Sequence, residues 1–526
     1  MSTVPGGRPS ARPGTLLGVD IGTSVVKAVL FDADGGALAV GGCPLELTHG
    51  GGGVAGAVEQ DLEQVLAHVG QVVRGVVAEA GGTPELVALT GQGDGCWLTD
   101  GSHRTVRPAL SWLDGRAAGL LGEWTGSGVT DRVFRMNGSA LFPGAPAPLL
   151  AWLDRHEPEV LDRAVTAGYC KDAVFGRLTG VRATDPSDSS MPFGDGTGTG
   201  YSAEVLELTG LAHRRGLLAP IVSPVPVASL AEPGAELLGL PAGLPVSSGP
   251  FDFPACGFGG GLAGVGDALL IVGTTLGCLV HSDRLVTDGE PAGFHVSTGV
   301  PGRWLRAMPA MVGTASLDWL LRTLGLGVDA VDEALATSPP GARGVAVLPY
   351  LATAGERAPF VDPHASGQLT GVRMTTDRHD LVRAMCEGLA YAARHCFEVA
   401  GRSGRLVVCG GGTRSRAWLR VFADVLGVPL ELARTPEVGA RGAVLVAAGA
   451  LGVELDTAAW TAPDDVVEPD PDRRAQYDDG YHRYLDHLAA ARPLWTAQPT
   501  PGQPGSDRPR PEPEQPGSAQ PTGATA

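Results

Sequence analysis

Two acidic residues in glycine-rich settings stand far apart in the chain: Asp20 in Leu16-Leu17-Gly18-Val19-Asp20-Ile21-Gly22-Thr23-Ser24, and Asp252 in Ser248-Gly249-Pro250-Phe251-Asp252-Phe253. An apolar run ending in Asp-x-Gly-Thr presents backbone N–H groups and a hydroxyl to phosphate oxygens, while its carboxylate reaches a metal ion. A second carboxylate, brought near by folding, takes the proton from a substrate hydroxyl. The pair predicts phosphoryl transfer at a site assembled from two halves of the chain. Phe251 and Phe253 flank Asp252, and desolvation by such neighbours raises a carboxylate's basicity, the useful direction for a general base.

Other positions fit the same chemistry. Gly273-Thr274-Thr275 offers a second phosphate turn, as a phosphate bridging two domains needs a donor nest from each. Lys27 shares a strand face with Val25 and is either a solvated charge or a phosphate-side cation. Gly410-Gly411-Gly412, after a strand and before a helix with Ser415 in its first turn, allows close approach of a nucleotide, though three glycines also make an ordinary turn. Gln92 and Asp94 follow the strand Val87–Thr90, where an α/β crevice receives its ligand. With Trp112 and Asp114 they form a set suited to a hydroxylated compound, with polar groups for hydroxyls and a ring for the carbon face. Trp112 serves equally as core, and Arg116 as an ion-pair partner of Asp114.

The elements that must carry these residues are legible as periodicities. Leu16–Val19, Val25–Phe31 and Ala37–Val40, separated by Gly22-Thr23-Ser24 and by Asp32-Ala33-Asp34-Gly35-Gly36, predict three strands joined by tight turns. Apolar residues at Leu62, Val65, Leu66, Val69, Val72, Val73 and Val76 predict a helix, and Pro84–Leu89 a buried strand. Further helices are expected over Leu149–Leu153 and Leu161–Leu178, before a Gly/Thr-rich loop from Gly194 to Gly200. A second strand–glycine–strand pattern starts at Val246 and runs through Ala268–Val280, so internal duplication of one α/β unit is expected. A strand at Gly404–Val408, helices over Trp418–Leu426 and Val438–Leu451, and a helix bearing Tyr477, Tyr481, Tyr484 and Leu488 complete the fold. Neither GxGxxG nor GxxxxGK[ST] follows the first strand, which argues against a dinucleotide fold or P-loop.

A length of 526 residues exceeds what one core supports. The expected organisation is a tail over 1–13, a substrate-binding domain over 14–246, an ATP-binding domain over 247–495, and a disordered Pro-rich tail over 496–526. A net charge of −18 disfavours nucleic acid and anionic membranes as partners. The eight cysteines are scattered without zinc-ligand spacing, which fits a reducing compartment. With neither a signal-peptide core nor a membrane span, a cytoplasmic enzyme is expected.

The ordered set Gly18–Ser24, Glu59-Gln60-Asp61, Gly91–Gly95, Trp112–Arg116, Thr184-Asp185, Asp252, Gly273–Thr275, Leu348-Pro349-Tyr350, Gly355–Pro359, Gly410–Ser415 and Glu437–Ala443 resembles the FGGY carbohydrate kinases. That family has an α/β fold of two actin-like ATPase (ribonuclease H-like) domains with an interdomain cleft. The resemblance implies transfer of the γ-phosphate of ATP, with magnesium (Mg2+), to a hydroxyl of a small sugar or polyol. It assigns Asp252 as catalytic base and Asp20 as metal residue. It gives Gly22, Thr23 and Ser24, with Gly273, Thr274 and Thr275, to phosphate binding, and Gly411, Gly412 and Ser415 to the nucleotide. Gln92, Asp94, Trp112, Asp114, Asp252 and Phe253 fall to the substrate. Xylulose kinases usually carry histidine at the position of Asp94; the Gln-Gly-Asp-Gly form looks like the erythritol-kinase branch, and an erythritol-like acceptor is favoured. Pro250-Phe251-Asp252-Phe253 departs from the common Gly-Gly-Asp-Asn/Ala pattern and narrows the pocket. Alternatives are xylulose or another ketose as acceptor, a non-catalytic nucleotide-binding regulatory protein, and plain ATP hydrolysis. Subunit number, a homodimer included, is left open.

Overall fold

A computed structural model describes residues 14–495; both expected tails lie outside the described residues. Alternation along Thr15–Ile21 (β1) sends Leu17, Val19 and Ile21 into one core and leaves Leu16, Gly18 and Asp20 on the opposite face. β1, Val25–Asp32 (β2) and Ala37–Pro44 (β3) form the expected antiparallel meander. The β2–β3 turn closes because Asp32 Oδ1 accepts from the N–H groups of Asp34 (2.9 Å) and Gly36 (2.8 Å). Helix Leu62–Ala80 (α1), capped by Asp61 and stopped at left-handed Gly81, lays its valines on this sheet. Val87–Gly91 (β4), Val227–Ser229 (β5) and Pro245–Ser248 (β6) complete the order β5-β6-β4-β1-β2-β3, with β1, β4 and β6 parallel.

The second half repeats that wiring. Ala268–Val272 (β7), Leu276–Ser282 (β8), Phe294–Ser297 (β9) and Trp304–Ala310 (β10) are antiparallel neighbours, and Leu406–Cys409 (β11) and Leu430–Ala433 (β12) add in parallel beside β7. Pro463–Val467 (β13) closes the order β9-β10-β8-β7-β11-β12-β13. Each half therefore has antiparallel strands on one side of its first strand and two parallel strands on the other, the ribonuclease H-like plan that duplication predicts, with β9 as an additional antiparallel edge strand in the second half.

Two expectations are corrected. Leu161–Leu178 is not one helix: Pro158–Arg163 ends, Thr166–Gly168 pairs as a strand with Trp97–Thr99, and only Cys170–Thr179 (α2) resumes. β-Branched Thr166 and helix-weakening Gly168 make sheet pairing the better local choice. Val246 does not open the second unit; its strand β6 pairs with β4 in the first sheet. Between β4 and β5 the chain adds a lobe with its own core around Leu98, Trp124, Phe193 and Leu217, while α2 within that stretch packs on the first sheet's core through Cys170, Val174 and Phe175.

The halves are joined by close helix contact. Helix Asp252–Gly259 (α3) and helix Val438–Ala450 (α4) meet backbone to backbone, for a Cβ on Gly259 would sit 1.9 Å from Val438 O and one on Gly442 1.8 Å from Ala255 O. The same α4 covers the outer face of the first sheet, where Leu16, Val29 and Phe31 pack with Ala440, Val444 and Trp460. α4 thereby fixes the end of β1 relative to the start of α3.

Candidate active site

Asp20 sits at the end of β1 on the face turned to α4. A Cβ on Gly439 would lie 2.6 Å from Asp20 Oδ2, so only glycine leaves room for the carboxylate at the start of that helix. Lys27, opposite Asp20 in register, pairs with Glu437 at 3.0 Å. It is thus an interdomain ion pair, half-exposed. Burial raises the Asp20 carboxyl to about 6, with Lys27 pulling down and Glu437 pushing up.

Asp252 begins α3, and its Oδ1 accepts from Phe253 N at 2.7 Å. Burial first, then the facing Asp20 and Asp94 carboxylates, push its carboxyl up to about 8. The two distant acids of the sequence thus share one electrostatic environment, with Asp94 as a third member. Asp94 is held at a left-handed φ of 56°, and burial raises it to about 7 against the pull of Arg357. The Gln92–Gly95 loop lies flat on Phe251, since a Cβ on Gly93 would touch that ring at 2.6 Å.

What braces Asp252 is buried and polar. Thr90 Oγ1 donates to Pro250 O (2.7 Å) and Phe251 N to Ser187 Oγ (3.1 Å). The Ser187 turn is held by Lys171, fully buried, which pairs with Asp172 (2.7 Å), Asp185 (2.9 Å) and Asp188 (3.0 Å). Burial raises both Asp172 and Asp188. Ser187 and Lys171 were not legible as site residues, because only tertiary packing aims them at Phe251.

Several expected ligand contacts are already committed within the protein. Thr23 Oγ1 donates to Gln92 Oε1 (3.1 Å) and accepts from Trp112 Nε1 (2.7 Å). Gln60 Nε2 donates to Thr23 O (2.9 Å), and Gln92 Nε2 donates to Gln60 Oε1 (2.7 Å). This network shapes the Gly22–Ser24 turn, which Gly22 N closes onto Val25 O at 3.0 Å. Asp114 accepts from Val58 N (2.7 Å) and from Arg116 Nε (2.9 Å), so its carboxylate is spent on structure and its expected acceptor contact is not carried by the geometry. The same holds for the Gln92 amide. Trp112 lines the cleft with its ring, 4.9 Å from the Arg357 guanidinium. Phe253 packs 6.4 Å from Phe294.

Gly273-Thr274-Thr275 turns between β7 and β8 as Gly22–Ser24 turns between β1 and β2. Gly273 N bonds Thr275 O (3.2 Å), and helix Thr314–Thr323 starts against this turn through Thr314 N to Gly273 O (2.9 Å). On the far side of β7, Gly410 (φ 101°) and Gly412 press on Val272, while a Cβ on Gly411 would meet nothing within 4 Å. Ser415 caps helix Arg416–Leu426 by accepting from Trp418 N (3.0 Å) and donates to Asp332 Oδ1 (2.5 Å), so its hydroxyl is already engaged.

Residues 15–259 match the FGGY family of carbohydrate kinases, N-terminal domain, and residues 268–451 match the C-terminal domain of that family. The chain belongs to the FGGY carbohydrate kinases. This FGGY protein is 32% identical over 521 residues to the erythritol kinase of Brucella abortus (strain 2308), covering 91% of this chain and 97% of that protein. It is 30% identical over 441 residues to the xylulose kinase of Escherichia coli (strain K12), covering 82% and 89%. The crystal structure of xylulose kinase from Rhodospirillum rubrum superposes with a TM-score of 0.82 at 28% identity, covering 91% of this chain and 99% of that one. FGGY membership makes the protein an ATP-dependent sugar or polyol phosphotransferase.

The residues present fit ATP and magnesium. Asp20 accepts no hydrogen bond from the described residues, and glycines occur in the Gly22–Ser24 and Gly273–Thr275 turns and the Gly410–Gly412 ledge. No group of three or more metal-ligating side chains occurs among the described residues. Magnesium is ordinarily held by one or two carboxylates plus substrate phosphates, which a single Asp20 satisfies. No helix among the described residues is long and apolar enough to cross a membrane.

Proposed function

We propose that this FGGY kinase phosphorylates one hydroxyl of a small open-chain sugar or polyol of four or five carbons, with Asp252 as general base. The observation that carries the reading is the field shared by Asp20 at the end of β1, Asp252 at the start of α3 and Asp94, all within the N-terminal-domain match, with α4 of the C-terminal domain packed against both β1 and α3. Asp252 Oδ takes the acceptor proton as the acceptor oxygen bonds to the γ-phosphorus and the bond to the ADP oxygen breaks. A base raised towards neutrality by burial suits that step. Bound magnesium supplies charge neutralisation at the phosphates, and Asp20 would hold it. The Gly22–Ser24 and Gly273–Thr275 turns direct backbone N–H groups at phosphate oxygens, and Gly411 and Gly412 leave room for the nucleoside. Phe251, Phe253, Trp112 and Phe294 keep water from the reacting oxygen.

A xylulose-type ketose is the first acceptor to test, supported by the similarity to xylulose kinases in sequence and in three dimensions. Erythritol is the second reading, favoured by Asp94 in the Gln-Gly-Asp-Gly loop and by the 521-residue match to an erythritol kinase. A coupled ADP-release assay over C4 and C5 polyols and ketoses separates them: the preferred acceptor raises ADP release and yields its monophosphate. ADP release that no hydroxylated compound increases would end the kinase reading.

A further inference from the structure

Arg357 comes from the second half of the chain yet reaches the first. Its loop is rigid by construction. Glu356 Oε1 accepts from Met311 N (2.7 Å), Arg357 N (2.9 Å) and Ala358 N (3.3 Å). Gly355 has φ 77°, and a Cβ there would sit 2.2 Å from Asp362 O. The Arg357 side chain is anchored where Nε donates to Pro309 O at 3.0 Å. Beyond that anchor the guanidinium lies 4.9 Å from the Trp112 ring centroid and 4.7 Å from that of Phe142, both on the first half. Its Nη1 is buried and has no hydrogen-bond partner among the described residues. Burial lowers the guanidinium basicity, and the nearby Asp94, Glu356 and Asp252 carboxyls counter that loss. A buried donor without an acceptor is costly, and beside Asp94 and Trp112 a ligand oxygen would meet that need.

We propose that Arg357 is a specificity-determining residue of the acceptor pocket, its Nη1 N–H donating to one oxygen of an uncharged polyol or ketose while Asp94 accepts from a neighbouring hydroxyl. This rests on the kinase reading above. Ionised Asp94 only accepts hydrogen bonds, so recognition of a substrate oxygen as acceptor needs a donor, and Arg357 is the buried one at hand. Trp112 and Phe142 fix its plane and hence the direction of the N–H. In the form that accepts the proton Asp252 is ionised, so an acceptor carrying a carboxylate would set a second negative charge beside the one Arg357 guanidinium. The pocket therefore selects neutral acceptors over sugar acids.

The test compares kcat/KM for the preferred acceptor and its monodeoxy analogues in the wild type, Arg357→Gln and Arg357→Lys, with calorimetric binding of a non-hydrolysable ATP analogue alongside. Arg357→Gln should lower kcat/KM for the parent roughly 10- to 100-fold, the loss of one charge-assisted hydrogen bond, with analogue binding unchanged. One deoxy analogue should be poor for the wild type by a similar factor, yet no worse than the parent for Arg357→Gln. Arg357→Lys, which keeps the charge, should show the same single-position coupling with a smaller loss if the glutamine variant folds poorly. Wild-type protein should use gluconate far less well than neutral acceptors. Equal deoxy penalties in wild type and variants, or gluconate turned over as fast as the neutral parent, would overturn the assignment. A wild type that phosphorylates nothing would instead overturn the kinase reading beneath it.

Discussion

Asp252→Asn separates catalysis from stability at the proposed base. The substitution is isosteric and keeps an oxygen to accept the Phe253 N–H, now at 2.7 Å, so the start of α3 should survive. It removes the proton acceptor, and a positioned general base contributes about 10²- to 10⁴-fold, or roughly 3–5 kcal/mol of barrier. Stability should move the opposite way. In the folded protein burial, then Asp20 and Asp94, raise this carboxyl from 3.8 to about 8. The folded state therefore holds the proton more tightly than the unfolded chain. Ionisation costs nothing below the unfolded pKa, and the cost grows as pH rises from there through the folded value. At about 1.4 kcal/mol per unit the ceiling is on the order of 5 kcal/mol, and the non-titrating asparagine escapes it. Coupled ADP-release kinetics and thermal melts at about pH 5, 7 and 8.5 should show turnover down by orders of magnitude. The melting temperature of the variant should exceed that of the wild type by several degrees at the highest pH, the gap closing towards the lowest. Turnover within about threefold of wild type would rule out Asp252 as the base, and a melting temperature lowered at every pH would rule out a buried carboxyl that is costly to ionise.

Other outcomes follow from the same geometry. The kcat/KM of the wild type should fall about tenfold per pH unit on the acid side of the Asp252 titration, measured with saturating magnesium and ATP. Asp20→Asn should raise the magnesium concentration for half-maximal rate roughly tenfold or more while nucleotide-free stability rises, because a carboxyl raised by burial is removed. Asp114→Ala leaves Arg116 with Glu59 as its remaining near partner (2.7 Å) and the Val58 N–H without its acceptor, and should cost roughly 1–3 kcal/mol in denaturant melts. Gly442→Ala forces a Cβ to within 1.8 Å of Ala255 O; it should destabilise by roughly 1–3 kcal/mol and lower kcat by shifting α3 against α4.

Much of the fold was legible because its first-order signals are local. The β1–β2–β3 opening announces itself through alternation and turn residues, and its echo at Ala268–Val280 announces duplication. Helix Leu62–Ala80 is visible in its valine spacing, with Asp61 and Gly81 as its ends. Thr166–Gly168 is not legible because its strand exists only by antiparallel pairing with the distant Trp97–Thr99, Thr166 opposite Thr99 and Gly168 opposite Trp97. At the site, acids and glycines could be picked by type and spacing, since close backbone approach and charge leave marks in the sequence. What a side chain spends its hydrogen bonds on leaves none. Gln92 and Asp114 read as ligand groups, yet they serve Thr23, Gln60 and Arg116. Arg357, within the recognisable Gly355–Pro359 stretch, had no evident role until the fold placed it between Trp112 and Phe142.

Asp20 and Asp252, far apart in the sequence yet both set against α4, are assigned to a single transferable phosphate. A crystal structure of the protein with magnesium, a non-hydrolysable ATP analogue and its preferred acceptor tests that assignment most directly. The reacting hydroxyl should lie within about 3 Å of a carboxylate oxygen of Asp252, with Asp20 on the magnesium directly or through one water. An acceptor hydroxyl held by another base, with the two carboxylates in separate pockets, would contradict it.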